Sequence, residues 1–301
     1  MTSIVFPGQG SQFSGMAKDF NDNFAIAKLI FEEIEDYTNI NIRNIIFENN
    51  EKLNLTKFTQ ICVFATSYVI YKTYEKENNI KINDINVMMG HSLGEYTAIA
   101  CSNKISLKDC CLVLKNRGEL MNDAVKPNET GMAALIGQNS KFIQKIIEDN
   151  SLDLEIANDN SPIQIVISGM KKEIEKGKEL FLKNNIKKYV ELNVSAAFHS
   201  KFMLKAQKEL SEKIEILEFI ENDIKIISNY DAQTYKDTNT IKKNLQYQMA
   251  NKVNWTKSVR KLEEIGEKNI LEIGPGKILS GLINRISKNF DIKSINKISD
   301  L

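Results

Sequence analysis

The sequence predicts an α/β protein, with a large domain on a parallel core sheet interrupted by a smaller domain of short alternating elements. Three observations carry this. Short apolar runs of strand character at 3–6, 85–89, 224–227 and 269–273 are separated by helical stretches, the alternation from which layered α/β folds are built. The second run stops at Gly90 and a helix-favouring stretch opens just past Ser92, so strand, sharp turn and helix follow without a gap. Between Thr130 and Val194 the texture shortens to strand, helix, two strands, helix and strand, the βαββαβ order of ferredoxin-like units. The expected large domain is 1–127 with 196–301, and the expected inserted domain is 128–195.

In order along the chain, Ser3-Ile4-Val5-Phe6 reads as the first strand. The loop after it, Pro7-Gly8-Gln9-Gly10-Ser11-Gln12, has two glycines that let the backbone approach another group closely. It is not a dinucleotide-binding fingerprint, which needs a third glycine where this chain has Phe13. Stretches 23–36 and 57–76 read as helices covering a sheet, the second spacing Phe58, Ile61, Cys62, Ala65, Tyr68 and Val69 helically. Ser106 and Asp109 form a capping-box signal for a helix with the apolar stripe Leu107, Cys110, Cys111, Leu114 and Met121, and Arg117 lies on its flank. In the inserted unit, strands are expected at 132–136, 154–157, 163–167 and 188–192, with helices at 142–148 and 173–182. Beyond Ser195-Ala196-Ala197-Phe198-His199-Ser200 the chain reads as helix to about Leu217, then a strand at 224–227 and mainly helix over 240–265. A strand at 269–273 runs into Gly274-Pro275-Gly276, and 278–286 reads as a helix.

Gly90-His91-Ser92-Leu93-Gly94 spans the turn after the second strand, a GxSxG pattern that makes the large domain α/β-hydrolase-like. A serine on so tight a turn leaves no room for side chains two residues to either side. The turn lifts the Ser92 hydroxyl clear of the backbone and aims the first helical amides where an oxyanion would form. Such a hydroxyl needs a base, usually histidine, and the chain has only His91 and His199. Successive side chains on a strand point to opposite faces, so His91 reads as a prop beneath the turn and His199 as the base. A third group orients such a base. Asp109, Asp123, Asp149, Asp153 and Asp159 lie between Ser92 and His199 without a recognisable setting, and a carbonyl is the alternative. Arg117 either snorkels to solvent or an ion pair, or clamps a carboxylate through its two-pronged guanidinium.

Six segments in this order resemble the malonyl-CoA:acyl carrier protein transacylases: Phe6-Pro7-Gly8-Gln9-Gly10-Ser11-Gln12, Gly90-His91-Ser92-Leu93-Gly94-Glu95-Tyr96, Arg117, Asn160-Ser161-Pro162-Ile163-Gln164, Phe198-His199-Ser200 and Glu272-Ile273-Gly274-Pro275-Gly276-Lys277. The resemblance covers nearly the whole chain. It implies Ser92 as nucleophile, His199 as its base and acid, the Gln9 and Leu93 backbone amides as oxyanion hole, and Arg117 as the clamp for the free carboxylate of malonate. It also implies that a main-chain carbonyl near Gln248 holds the histidine. Gln248 precedes Asn251-Lys252-Val253-Asn254-Trp255, in which Lys252 replaces the family's usual proline. Phe198 resembles the version associated with malonyl rather than methylmalonyl groups. The implied activity moves malonyl from malonyl-CoA to the phosphopantetheine thiol of an acyl carrier protein, supplying the extender unit for fatty acid biosynthesis. Coenzyme A thioester is then a substrate, and no cofactor is expected. The rival readings are a serine thioesterase or hydrolase, in which water resolves the acyl-enzyme, a transacylase for a neutral acyl group, and a non-catalytic scaffold that only docks carrier protein.

With 301 residues, 42% hydrophobic and 26% charged, the chain can bury a substantial core. Its 40 basic and 39 acidic residues leave a net charge of +1, no general attraction for nucleic acid or an anionic membrane, so neither is an expected partner. No apolar run approaches the ~20 residues of a membrane helix, and no basic-then-apolar leader precedes the first strand. Cys62, Cys101, Cys110 and Cys111 have neither CxxC spacing nor the density of a disulfide scaffold. With only two histidines, a zinc site is not expected either. The expected location is a reducing cytoplasm.

Overall fold

In the computed structural model, which describes residues 2–48, 51–80 and 82–301, the strands form two sheets. The larger joins β1 (Thr2–Phe6), β2 (Ile85–Gly90), β7 (Lys225–Ile227), β8 (Thr234–Tyr235), β9 (Asn269–Ile273) and β10 (Asp291–Ile295) in the order β10-β9-β1-β2-β7-β8. Its pairs are parallel except the edge pair β7 and β8. The smaller joins β3 (Thr130–Ile136), β4 (Leu154–Ser161), β5 (Gln164–Met170) and β6 (Lys188–Glu191) in the antiparallel order β4-β5-β3-β6. The first and third strands of that unit lie together at its centre, the ferredoxin-like arrangement.

The helices are α1 (Lys18–Asn23), α2 (Ala25–Thr38), α3 (Ile42–Phe47), α4 (Thr56–Glu77), α5 (Leu93–Cys101), α6 (Leu107–Asp123), α7 (Ser140–Asp149), α8 (Lys171–Lys183), α9 (Leu204–Glu215), α10 (Thr238–Gln248), α11 (Trp255–Glu264) and α12 (Ile278–Ile286). The central strands are mainly apolar because both faces are covered. Ile4, Phe6 and Met88 face the core shared with α2, α4, α5 and α6. Val5, Val87 and Met89 alternate to the opposite face, against Trp255, Val259 and Leu262 of α11 and Leu279, Leu282 and Ile283 of α12. None of the described helices is long and apolar enough to cross a membrane.

Several local expectations change. The helix expected over 23–36 is α2, starting only at Ala25 because Phe24 is extended (φ −124°), and the short helix α1 precedes it. The stretch 240–265 divides into α10 and α11, because the loop between them docks on β4: Val253 N–H donates to Ala157 O (2.9 Å) and Asp159 N–H to Val253 O (3.0 Å). Ser106 Oγ accepts from Asp109 N (3.0 Å), but the Asp109 carboxylate returns to the Ser106 hydroxyl (2.7 Å), so only half of the capping box forms. Rather than one apolar stripe, α4 is buried nearly all round, taking Thr59, Gln60, Thr66 and Ser67 into the core. It runs between α2, α5 and α6.

Candidate active site

The turn between β2 and α5 is set by contact between backbones. A Cβ on Gly90 would lie 2.1 Å from Gly94 O, and one on Gly94 would lie 2.2 Å from Phe6 O. Between them Ser92 adopts φ 54° and ψ −107°, a conformation costly for a side-chain-bearing residue that must be held from outside. Asn229, in the loop after β7, does the holding: its Oδ1 accepts from Ser92 N (2.6 Å) and its Nδ2 donates to Gly90 O (2.7 Å).

Ser92 Oγ lies 2.8 Å from His199 Nε2, although 107 residues separate them in sequence. His199 itself has φ 55°. Its Nδ1 faces two acceptors, the carbonyls of Gln248 and Asn251, each at 3.1 Å. Carbonyls only accept, so Nδ1 carries the proton and Nε2 is left with a lone pair to receive the Ser92 proton. No carboxylate bonds this imidazole among the described residues. Asp109 caps α6 through Ser106, Asp153 pairs with Lys201, and Asp159 ties Ser140 to Thr256. Burial, then the neighbouring charges of Arg117 and His91, lower the His199 pKa to about 3 against the pull of the two carbonyls. The imidazole is therefore neutral at physiological pH.

Arg117 projects from α6 and is 0% exposed. Its Nη1 donates to Gln60 Oε1 (2.5 Å), and its Nη2 to Gln248 Oε1 (2.9 Å) and Ser92 Oγ (3.0 Å). The guanidinium lies over the Tyr96 ring at 5.3 Å, and its Nε has no hydrogen-bond partner among the described residues. Burial lowers its pKa. None of the described ion pairs includes Arg117. A buried cation bonded only to neutral groups is costly, and a carboxylate placed against it would be strongly bound.

Gln9, Gln60, Ser92, Leu93, Phe198 and His199 line one cleft, closed by Met121 and Met132 with Asn158, Leu192 and Val194. Leu93 is the first residue of α5. Neither its amide nor that of Gln9 donates a hydrogen bond among the described residues, so both are free to serve an anion beside Ser92. Phe198 is buried against the cleft, its carbonyl accepting from Ser168 Oγ of β5 (2.9 Å). His91 is a packed histidine that is held by neighbours outside the turn. Its Nε2 meets Asn160 Oδ1 on β4 (2.8 Å), its ring sits 5.5 Å from that of Trp255, and it shares the cleft wall without bonding Ser92 Oγ. Lys252 leaves the histidine-holding loop intact, since both carbonyls reach Nδ1 and Asn254 Nδ2 bonds Lys252 O (3.3 Å).

Sequence reasoning missed Asn229 and Gln60, and it gave no role to Asn251, Asn160 or Glu95 although they stand in the segments singled out above. Glu95 stands in the first turn of α5, where an acidic residue reads as a favourable dipole interaction. In fact it is 1% exposed, with its pKa raised to about 7 chiefly by burial.

The chain is 36% identical over 291 residues to the malonyl CoA-acyl carrier protein transacylase of Bacillus subtilis (strain 168), covering 95% of this chain and 90% of that protein. Its fold is similar to the crystal structure of an acyl carrier protein S-malonyltransferase from Vibrio cholerae, with a TM-score of 0.93, 33% identity and 99% and 98% of the two chains covered. It is similar also to a malonyl-transacylase solved in complex with its type II polyketide acyl carrier protein, with a TM-score of 0.94, 30% identity and 99% and 97% covered. Residues 4–298 match the acyl transferase domain, and the chain belongs to that family of acyltransferases.

Proposed function

We propose that the protein transfers a malonyl group from malonyl-CoA to the phosphopantetheine thiol of an acyl carrier protein through a malonyl ester on Ser92. His199 Nε2 takes the Ser92 proton as Oγ attacks the thioester carbonyl. The tetrahedral oxyanion accepts from the Gln9 and Leu93 amides, each such donor contributing roughly 10²- to 10³-fold in rate. As the C–S bond breaks, His199 returns the proton to the coenzyme A sulfur. The carrier thiol then gives its proton to His199 and attacks the ester carbonyl; as the C–Oγ bond breaks, the carrier leaves with the malonyl group as a thioester and Ser92 recovers its proton. Each step moves only an acyl group and a proton, so the reading calls for no cofactor.

The observation that carries malonyl is Arg117, a buried guanidinium bonded to neutral groups at the nucleophile itself. Phe198 leaves little room for a branching methyl, a preference worth only about 1–3 kcal/mol. The relatives' names support both the donor and the carrier. We further propose domain limits of 1–127 with 196–301 and of 128–195, supported by the separate apolar cluster of the smaller unit around Leu135, Ile143, Ile165 and Phe181. Four buried cysteines without a disulfide support a reducing cytoplasm.

Intact-mass measurement after mixing with malonyl-CoA and acetyl-CoA together tests the reading. Malonyl mass on the Ser92 peptide, discharged by carrier protein far faster than by water, is the expected result. Rapid hydrolysis indifferent to carrier protein makes the protein a thioesterase instead.

A further inference from the structure

We propose that Glu95 is a positioning residue that locks the nucleophile turn, the histidine-holding segment and the arginine into one geometry, through the Gln248 amide and the Asn229 backbone. The inference deepens the malonyl-transfer reading and rests on it for the role of Arg117 alone.

Glu95 Oε2 accepts from Asn229 N (3.0 Å) and from Gln248 Nε2 (2.6 Å). An ionised carboxylate only accepts. Gln248 must therefore turn its NH₂ toward Glu95 and the Ser92 carbonyl (2.9 Å), which leaves Oε1 to receive Arg117 Nη2 (2.9 Å). The flipped amide would set NH₂ against guanidinium and oxygen against carboxylate. The backbone carbonyl of the same Gln248 holds His199 Nδ1, and the Asn229 side chain holds Ser92 N and Gly90 O. From one buried oxygen, a single further residue reaches each of the three reacting groups.

Among the described residues Glu95 has no ion-pair partner, and its donors are neutral. Burying a carboxylate on such terms is unfavourable for stability alone, and groups held this way cluster at functional sites. The charged and titratable groups facing it are Arg117 from α6, Asp231 from the loop after β7 and its neighbour Tyr96, while α10 presents neutral Gln248. Burial first, then Asp231, raise its pKa to about 7 against Gln248, Asn229 and Arg117. His199 is held near 3, and burial takes His91 below its usual value. An acid limb near pH 7 in Ser92 reactivity thus belongs to Glu95.

The test compares wild type, Glu95→Gln and Glu95→Ala as full chains, from pH 5 to 9. Two rates are read: Ser92 labelling by a fluorophosphonate, which needs neither a malonyl group nor Arg117, and Ser92 acylation by malonyl-CoA. Wild type should gain severalfold in labelling as pH rises through 7. Glu95→Gln, which still offers one acceptor oxygen, should stay within about 10-fold of wild type at pH 8 and lose that limb. Glu95→Ala should lose roughly 10²-fold in both rates, the scale of a misplacement near 1 Å. A limb that persists in Glu95→Gln, or a folded Glu95→Ala at the wild-type rate, overturns the proposal. If thermal melting shows Glu95→Ala unfolded, the Glu95→Gln profile decides alone. Normal labelling without malonylation would sink the malonyl reading and leave the positioning role standing.

Discussion

Replacing Arg117 by alanine should change which acyl group the enzyme accepts more than how fast it works. In the free protein the guanidinium gives hydrogen bonds of 2.5, 2.9 and 3.0 Å to Gln60, Gln248 and Ser92. A malonyl carboxylate would receive two charge-assisted bonds from the same fork, each about 1.5–3 kcal/mol. Removing both loses about 3–6 kcal/mol for malonyl-CoA, or roughly 10²- to 10⁴-fold in kcat/KM at 1.4 kcal/mol per decade. Acetyl-CoA makes no such contact; for it the slackened Ser92 and Gln248 are set against a hydroxyl and imidazole released from the guanidinium, so its rate should stay within about 10-fold of wild type. Arg117→Lys keeps the charge without the fork and should fall between. The assay is the initial rate of acyl transfer to carrier protein from each donor for the three proteins. Equal losses for malonyl and acetyl donors would refute the carboxylate role, whatever their size.

Gly94→Ala should yield little folded protein, because the added Cβ would sit 2.2 Å from Phe6 O, where backbone must move. A melting temperature within a few degrees of wild type would contradict that packing. By imidazole NMR, His199 should remain neutral at pH 5, being held at about 3 in the folded protein. The unfolded chain takes up that proton near 6.5, so stability is full above 6.5 and falls as pH drops toward 3. His199→Gln should flatten that decline in urea melts at pH 7 and 4.5. Lys252→Pro removes no described hydrogen bond of its own amide and should leave acylation unchanged while adding about 0.4–1 kcal/mol of stability. A large loss of activity would mean that the loop depends on the flexibility of lysine there.

What was legible in the sequence depended on sequence distance. The turn at Gly90, Ser92 and Gly94 is a local steric solution, so five residues state it. The smaller sheet was readable because its strands and helices are short and follow one another closely. His199 emerged by elimination from two histidines, and the structure puts it 2.8 Å from Ser92. Asn229 and Gln248 contact Glu95 across 134 and 153 residues, and no spacing rule reaches that far. Gln60 was hidden inside a helix whose apolar residues announce a stripe, while its buried polar side proves to face the site. Four short elements, α1, α3 and the edge strands β8 and β10, were missed. Asp291-Ile292-Lys293-Ser294-Ile295 alternates too weakly to stand out, and only pairing with β9 makes it a strand.

The charges around Ser92 give the acyl preference a physical order of events. In the free protein Arg117 donates to Ser92 Oγ, occupying a lone pair of the atom that must attack, and its charge helps hold the His199 pKa near 3. Both effects restrain the nucleophile while no carboxylate is bonded to the guanidinium. A carboxylate drawn to Arg117 would compete for the Nη2 bond and offset the charge, freeing the hydroxyl and raising the basicity of the imidazole in one event. In a neutral acyl-enzyme the Arg117 charge would leave His199 a weak base toward water, whereas a dicarboxylic donor would relieve the restraint on arrival. Selectivity built this way appears in kcat as well as KM, because it is realised as the hydroxyl becomes reactive and not only as the donor binds. A malonyl preference confined to KM, with equal single-turnover acylation rates for malonyl-CoA and acetyl-CoA at saturation, would show that Arg117 holds the substrate without governing the serine.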